Sequence, residues 1–117
     1  MVLAIDDDEG VVTLLKRYLE TDGYQVVGVT ESLHASQMAE RLAPDLTAIT
    51  LDVVMPNSDG WQVLRELKQN PQTKDLPVIL CSIVEGVEQG LELGAAACLR
   101  KPITRDELLT ALRKVDR

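Results

Sequence analysis

Residues 46–52 read Leu46-Thr47-Ala48-Ile49-Thr50-Leu51-Asp52. Six residues of strand length, apolar apart from two threonines, run straight into a carboxylate. A run of this kind, without polar alternation, reads as a strand buried on both faces. Strands so buried belong to parallel sheets covered by helices on each side, so this stretch sets the fold class.

Outward from it, similar runs recur at Val2 to Ile5, Val26 to Val29, Val78 to Cys81 and, more weakly, Ala96 to Leu99. Each is followed by a helical pattern. Val11, Val12, Leu15, Tyr18 and Leu19 form one helical face, and Ala35, Met38, Ala39 and Leu42 form a second. A third uses Val63, Leu64 and Leu67. A shorter fourth uses Val84, Val87 and Leu91 and stops at Gly94, a natural residue for the left-handed turn past a helix end. The fifth opens with the capping-box pattern Thr104-Arg105-Asp106-Glu107 and buries Leu108, Leu109, Leu112 and Val115. Five strands alternating with five helices imply right-handed crossovers and a doubly wound α/β sandwich. The last strand leads into Arg100 and suits an edge. Pro44 and Pro71 fit loops, and with no linker or repeat visible a single domain over residues 1–117 is expected.

The chain of 117 residues is 45% hydrophobic and 26% charged, the composition of an ordinary globular protein with one core. Its net charge of -7 argues against nucleic-acid binding, which rests on clustered Lys and Arg. No run is long and apolar enough to insert in a membrane, and no secretory leader pattern opens the chain, so a cytoplasmic location is expected. Cys81 and Cys98 lack metal-ligand spacing and read as buried free thiols, and His34 as a solvated side chain.

In open α/β sheets the ligand site lies beyond the carboxyl ends of the strands. Asp6 and Asp7 follow the first strand, Asp52 the third, Ser82 the fourth and Lys101 the fifth. Neighbouring carboxylates repel by roughly 4 kcal/mol per pair at about 4 Å and an effective dielectric near 20, so a cation must compensate. Hard oxygen ligands suit Mg²⁺. Lys101 adds a second positive charge and Ser82 a hydroxyl donor, a set able to bind a phosphoryl group on a carboxylate. Taken singly, each residue has a plainer role: Asp6 to Asp8 as a helix cap, Ser82 in a loop, Lys101 at the surface. Their convergence from four strands carries the functional reading.

The segments Ala4-Ile5-Asp6-Asp7-Asp8, Leu51-Asp52-Val53-Val54-Met55-Pro56 with Asp59-Gly60, Ser82, Gly94-Ala95 and Lys101-Pro102 resemble the receiver domains of two-component response regulators. The resemblance spans essentially the whole chain. It implies the flavodoxin-like strand order 2-1-3-4-5 and a phosphorelay role without metabolic enzyme activity. Asp52 would take a phosphoryl group from a phosphohistidine of a histidine kinase or histidine phosphotransfer protein, or from a small phosphodonor. Asp7 and Asp52 would bind Mg²⁺ directly, Asp6 mainly through water, with the Val54 carbonyl completing the set. Ser82 and Lys101 would hold the phosphoryl group. Asp8 is left to cap the first helix, Asp59 to cap the third and Gly60 to relieve crowding there, and Trp61 reads as partly exposed packing. The resemblance also admits a dimer.

Two positions depart from the family pattern. Cys98 stands where an aromatic switch residue is usual, three before the lysine, and Ile83 is bulkier than the usual small residue. Val54 and Val84 are expected to slow hydrolysis of the acyl phosphate. The short stretch from Ser82 to Gly94, with Gly90-Leu91-Glu92-Leu93-Gly94-Ala95, looks more like receivers of hybrid sensor histidine kinases, which would make the chain a module of a larger protein. The rival readings are a pseudo-receiver that binds a partner without phosphorylation, a haloacid dehalogenase-like phosphatase with Asp6 as nucleophile and Asp8 as acid/base, and a flavin-binding module. Glu9-Gly10 departs from the phosphatase motif, and carboxylates after the first strand would repel a flavin phosphate.

Overall fold

A computed structural model of the chain describes residues 1–55, 58–82 and 89–115. In order come β1 (Val2–Ile5), α1 (Glu9–Glu20), β2 (Val26–Val29), α2 (Ala35–Leu42), β3 (Ala48–Leu51), α3 (Gly60–Gln69), β4 (Val78–Ser82), α4 (Gln89–Glu92), β5 (Ala97–Arg100) and α5 (Arg105–Val115). The sheet order is β2-β1-β3-β4-β5 and every pairing within it is parallel. This is the expected flavodoxin-like arrangement, with β5 at an edge.

Side-chain alternation divides the core between the two faces of the sheet. Leu3, Ile5, Ile49, Leu51 and Leu80 pack with Ala35 and Ala39 of α2 and Leu64 and Leu67 of α3. Val2, Ala4, Ala48, Ile79 and Cys81 pack with Leu15 and Leu19 of α1 and Leu108 and Leu112 of α5. All residues of β1, β3 and β4 are buried. Truncating one such leucine to alanine costs roughly 2–5 kcal/mol.

The helix ends carry the expected signals. Asp8 caps α1, its carboxylate accepting from the Gly10 N–H at 2.8 Å. Thr104 and Glu107 close a reciprocal capping box, with Glu107 N–H to Thr104 Oγ1 and Thr104 N–H to Glu107 Oε1 both at 3.2 Å. Gly94 turns the chain after α4 at φ +103°.

Some boundaries shift from expectation. β3 starts at Ala48, not Leu46, because Pro44 sits in a 3-10 turn, Ala43–Asp45, whose closing bond runs from Leu46 N–H to Ala43 O. β5 runs Ala97–Arg100, one residue later than read, and β4 reaches Ser82. α4 is described from Gln89 to Glu92, and Val84, Val87 and Ile83, with the side chain of Asp59, lie outside what is described. Among the described residues no helix is long and apolar enough to cross a membrane.

Candidate functional site

Register decides which side chains meet. Ile5 of β1 lies opposite Leu51 of β3, so Asp6 and Asp52 leave adjacent strands side by side. Backbone bonds hold both in line: Asp6 N–H to Val29 O at 3.1 Å and Asp52 N–H to Ile5 O at 3.0 Å. On the other side of β3, Ser82 ends β4 opposite Arg100, and the Lys101 N–H donates to the Ser82 carbonyl at 2.9 Å. The sheet therefore brings Asp6, Asp52, Ser82 and Lys101 to one edge, as the strand-end pattern predicts.

Asp6, Asp52 and Ser82 are buried and Asp7 is exposed. One carboxylate oxygen from each of Asp6, Asp7 and Asp52 lies within 4.8 Å of the others. Lys101 reaches across this group: its ammonium donates to Asp6 Oδ2 at 2.7 Å and to Asp52 Oδ2 at 3.2 Å. Burial alone would lower the Lys101 pKa. The hydrogen bond and charge of Asp6, joined by Asp52, outweigh it and hold the lysine above its ordinary value. The cation is thus firmly protonated.

The contact between Lys101 and Asp6 goes beyond the sequence reading, which paired the lysine with a phosphoryl group alone. Its lever was present in the chain: an acidic pair after β1 and a lysine after β5 meet only across the ends of β3 and β4, where both can address Asp52. Asp6 Oδ1 also accepts the Asp8 N–H at 3.0 Å. Both Asp6 oxygens are engaged by protein donors, which leaves exposed Asp7 better placed for a direct ligand.

The loop after Asp52 is shaped by Gly60. Val54–Met55 and Ser58–Asp59 pair as a two-stranded antiparallel ribbon, Val54 opposite Asp59. The chain then folds back so closely that a Cβ on Gly60 would lie 2.3 Å from Val53 Cα and 2.5 Å from the Asp52 carbonyl oxygen. Only glycine fits there.

The remaining sequence-marked residues fall outside this cluster. Cys81 is buried beneath it, with its thiol pKa pushed up to about 12, first by burial and then, against the lowering effect of Lys101, by Asp6 and Asp52. Cys98 is half-buried, less enclosed than read, and packs on the α2/α3 face of the sheet. His34 is exposed, its Nδ1 3.5 Å from a Glu31 carboxylate oxygen. Trp61 is half-buried, as read, and packs against the same face as Cys98.

Comparison with known proteins gives a consistent outcome. The family described as response regulator receiver domain matches residues 2–113. Response regulator PleD of Caulobacter vibrioides is 40% identical over 119 residues, covering 99% of this chain and 26% of that protein. The receiver domain of a Pseudomonas aeruginosa sensor histidine kinase, described with a magnesium ion coordinated in its active-site cleft, superposes with a TM-score of 0.86 at 28% identity, covering 97% of this chain and 93% of that one. A Borrelia burgdorferi CheX-CheY complex with beryllofluoride and magnesium gives a TM-score of 0.90 at 25% identity, with 97% and 87% covered. The chain thus spans about a quarter of the length of PleD, 26%.

Proposed function

The chain belongs to the response regulator receiver domain family, a family of signalling domains, and we propose that Asp52 is its phosphoacceptor, fed by a phosphohistidine of a histidine kinase or phosphotransfer protein. The observation that carries the reading is the buried Asp52 carboxylate, bridged by Lys101 to Asp6 and grouped with exposed Asp7. The residues 1–117 act as one domain in this reading.

An Asp52 carboxylate oxygen attacks phosphorus in line. The new O–P bond forms as the donor N–P bond breaks, and the imidazole nitrogen leaves with the electron pair and takes a proton. Carboxylate is already the nucleophilic form, so the chain supplies no general base. Lys101, held protonated, pairs with the oxygens of the transferring group, and the Ser82 hydroxyl at the end of β4 donates to one of them.

The three carboxylates fit a hard divalent cation, since one oxygen of each lies within 4.8 Å of the others and Lys101 alone leaves the group net negative. Asp7, Asp52 and the Val54 carbonyl would hold Mg²⁺, with Asp6 acting through water because both its oxygens accept protein hydrogen bonds. Bound there, the ion supplies positive charge against the phosphoryl oxygens. The magnesium described for the Pseudomonas receiver supports this reading.

The phosphatase reading gains no support, because both carboxylate oxygens of Asp6, its required nucleophile, already accept protein hydrogen bonds. A receiver that works without phosphorylation is weakened by the complete set of acidic residues, serine and lysine at one edge. The relatives include a response regulator and a receiver of a sensor histidine kinase, so the site serves either setting.

The reading is tested by incubating the chain with acetyl phosphate in Mg²⁺ and in chelator, following intact mass. One phosphoryl group is expected with Mg²⁺, and none in chelator or in Asp52→Asn. Equal uptake by Asp52→Asn sinks it.

A further inference from the structure

The link from β1 to α1 is Asp6-Asp7-Asp8, acidic throughout. The carboxylates that gather at the site are those of Asp6, Asp7 and Asp52. The Asp8 carboxylate is engaged on α1 instead, its Oδ1 accepting the Gly10 N–H at 2.8 Å at the N-terminal end of the helix. A Cβ on Gly10 would stand 3.0 Å from that oxygen, so the glycine leaves the room in which the cap sits.

The backbone of Asp8 serves the site. Its N–H donates to Asp6 Oδ1 at 3.0 Å, a bond that closes a turn with Asp7 in the middle. Asp6 is thereby held on one oxygen by the turn and on the other by Lys101. The link is fixed at both ends. Ile5 lies in register with Leu51, and the Asp6 N–H donates to Val29 O at 3.1 Å. On the helix side the Val12 N–H donates to Asp8 O at 3.1 Å, and Val12 sits so close to β2 that a Cβ on Gly28 would meet its Cγ1 at 2.4 Å. Packed this tightly on the sheet, α1 cannot slide to take up slack in the link. A helix end without its cap frays, because its first N–H groups lack partners. Fraying here would begin at the residue whose N–H holds Asp6.

We propose that Asp8 is a positioning residue for the divalent cation: by capping α1 it fixes the Asp6–Asp8 turn, and the turn sets the two acidic groups that meet the ion. The inference rests on the cation reading above and adds to it a residue that acts through Asp6 and Asp7 without ligating the ion. In this role the Asp8 hydrogen bond is required and its charge is dispensable. Asparagine keeps the cap and loses the charge, whereas alanine loses both.

The test compares the natural chain with Asp8→Asn and Asp8→Ala, each checked for folding by urea unfolding. The salt is about 0.15 M, where a Debye length of about 8 Å damps the direct pull of an exposed carboxylate on the ion. Mg²⁺ is titrated against the amide NMR shifts of Asp7 and Asp52, and amide exchange is followed at residue 8 in chelator. Asp8→Ala is expected to bind Mg²⁺ about fivefold more weakly, the scale set by loss of a helix cap, and to exchange faster at residue 8. Asp8→Asn is expected to stay within about twofold of the natural chain and to keep the slow exchange. Equal weakening in both variants assigns the effect to charge and overturns the proposal. A folded Asp8→Ala protein with unchanged Mg²⁺ affinity overturns it too, and leaves the cation reading intact. A natural chain that binds no Mg²⁺ overturns both.

Discussion

The Lys101 ammonium lies 2.7 Å from Asp6 Oδ2, closer than it lies to Asp52. Lysine and aspartate stand 95 residues apart and meet because β1, β3, β4 and β5 end at one edge. Their side chains are 15% and 3% exposed, so the pair is sheltered from solvent. Replacing Lys101 by Met would leave two buried carboxylates uncompensated, at a cost on the order of 3 kcal/mol. Urea unfolding should show that loss in chelator and a partial recovery in Mg²⁺, since a ligand of the folded state stabilises by mass action. No loss, or a loss indifferent to Mg²⁺, would contradict the charge balance described.

Gly60→Ala should be severe for one residue of added volume. Its Cβ would meet backbone atoms of Asp52 and Val53, which cannot swing aside as a flexible side chain can. Destabilisation of about 1–3 kcal/mol is expected from the overpacking. Phosphoryl uptake should fall further than stability explains, because the displaced atoms belong to Asp52. Full uptake by a folded Gly60→Ala protein would refute this.

Thr50 offers the opposite outcome. Its hydroxyl is buried in β3 with no hydrogen-bond partner among the described residues. Valine has the same shape without the hydroxyl, and relieving an unpaired buried group is worth about 1 kcal/mol or more. Thr50→Val should therefore raise the unfolding midpoint. A lowered midpoint would mean that the hydroxyl has a partner.

The Cys81 thiol makes a prediction at alkaline pH. Burial, chiefly, keeps it protonated in the folded chain to about pH 12, against an ordinary value of 9.0. Above the ordinary value the unfolded chain releases this proton while the folded chain keeps it. The folded state then binds more protons, so its stability is intact below about 9 and falls as pH rises toward 12. The slope from this one group approaches about 1.4 kcal/mol per pH unit. Cys81→Val should lose less stability than the natural chain between neutral pH and roughly pH 10.5, where the unfolded thiol is ionised. Equal losses in both would contradict the assignment.

Much of this was legible in the chain. The almost wholly apolar runs of β1, β3 and β4 announced burial on both faces, and Asp8, Gly94 and the Thr104/Glu107 box marked helix ends by local chemistry that does not depend on the rest of the fold. The strand-end rule collected Asp6, Asp52, Ser82 and Lys101 because parallel register fixes where each strand stops. What the sequence concealed depends on three-dimensional approach. The start of β3 was hidden by Leu46, apolar but drawn into the turn around Pro44. Lys101 was read as a partner for a ligand, and its contact with Asp6 emerges only when the ends of β1 and β5 are set on either side of β3 and β4. The close approach of Gly90 to Leu80 and Trp61 has no sequence signal beyond the glycine itself.

Chemical mapping of the phosphorylated residue tests the central claim most directly. The chain would be phosphorylated with a small phosphodonor in Mg²⁺, reduced with borohydride to convert an acyl phosphate to its alcohol, and sequenced by mass spectrometry. The account predicts reduction at Asp52, giving homoserine there, with Asp6 and Asp7 unchanged. Reduction at Asp6, or no acyl phosphate in a folded chain supplied with donor and Mg²⁺, would contradict it.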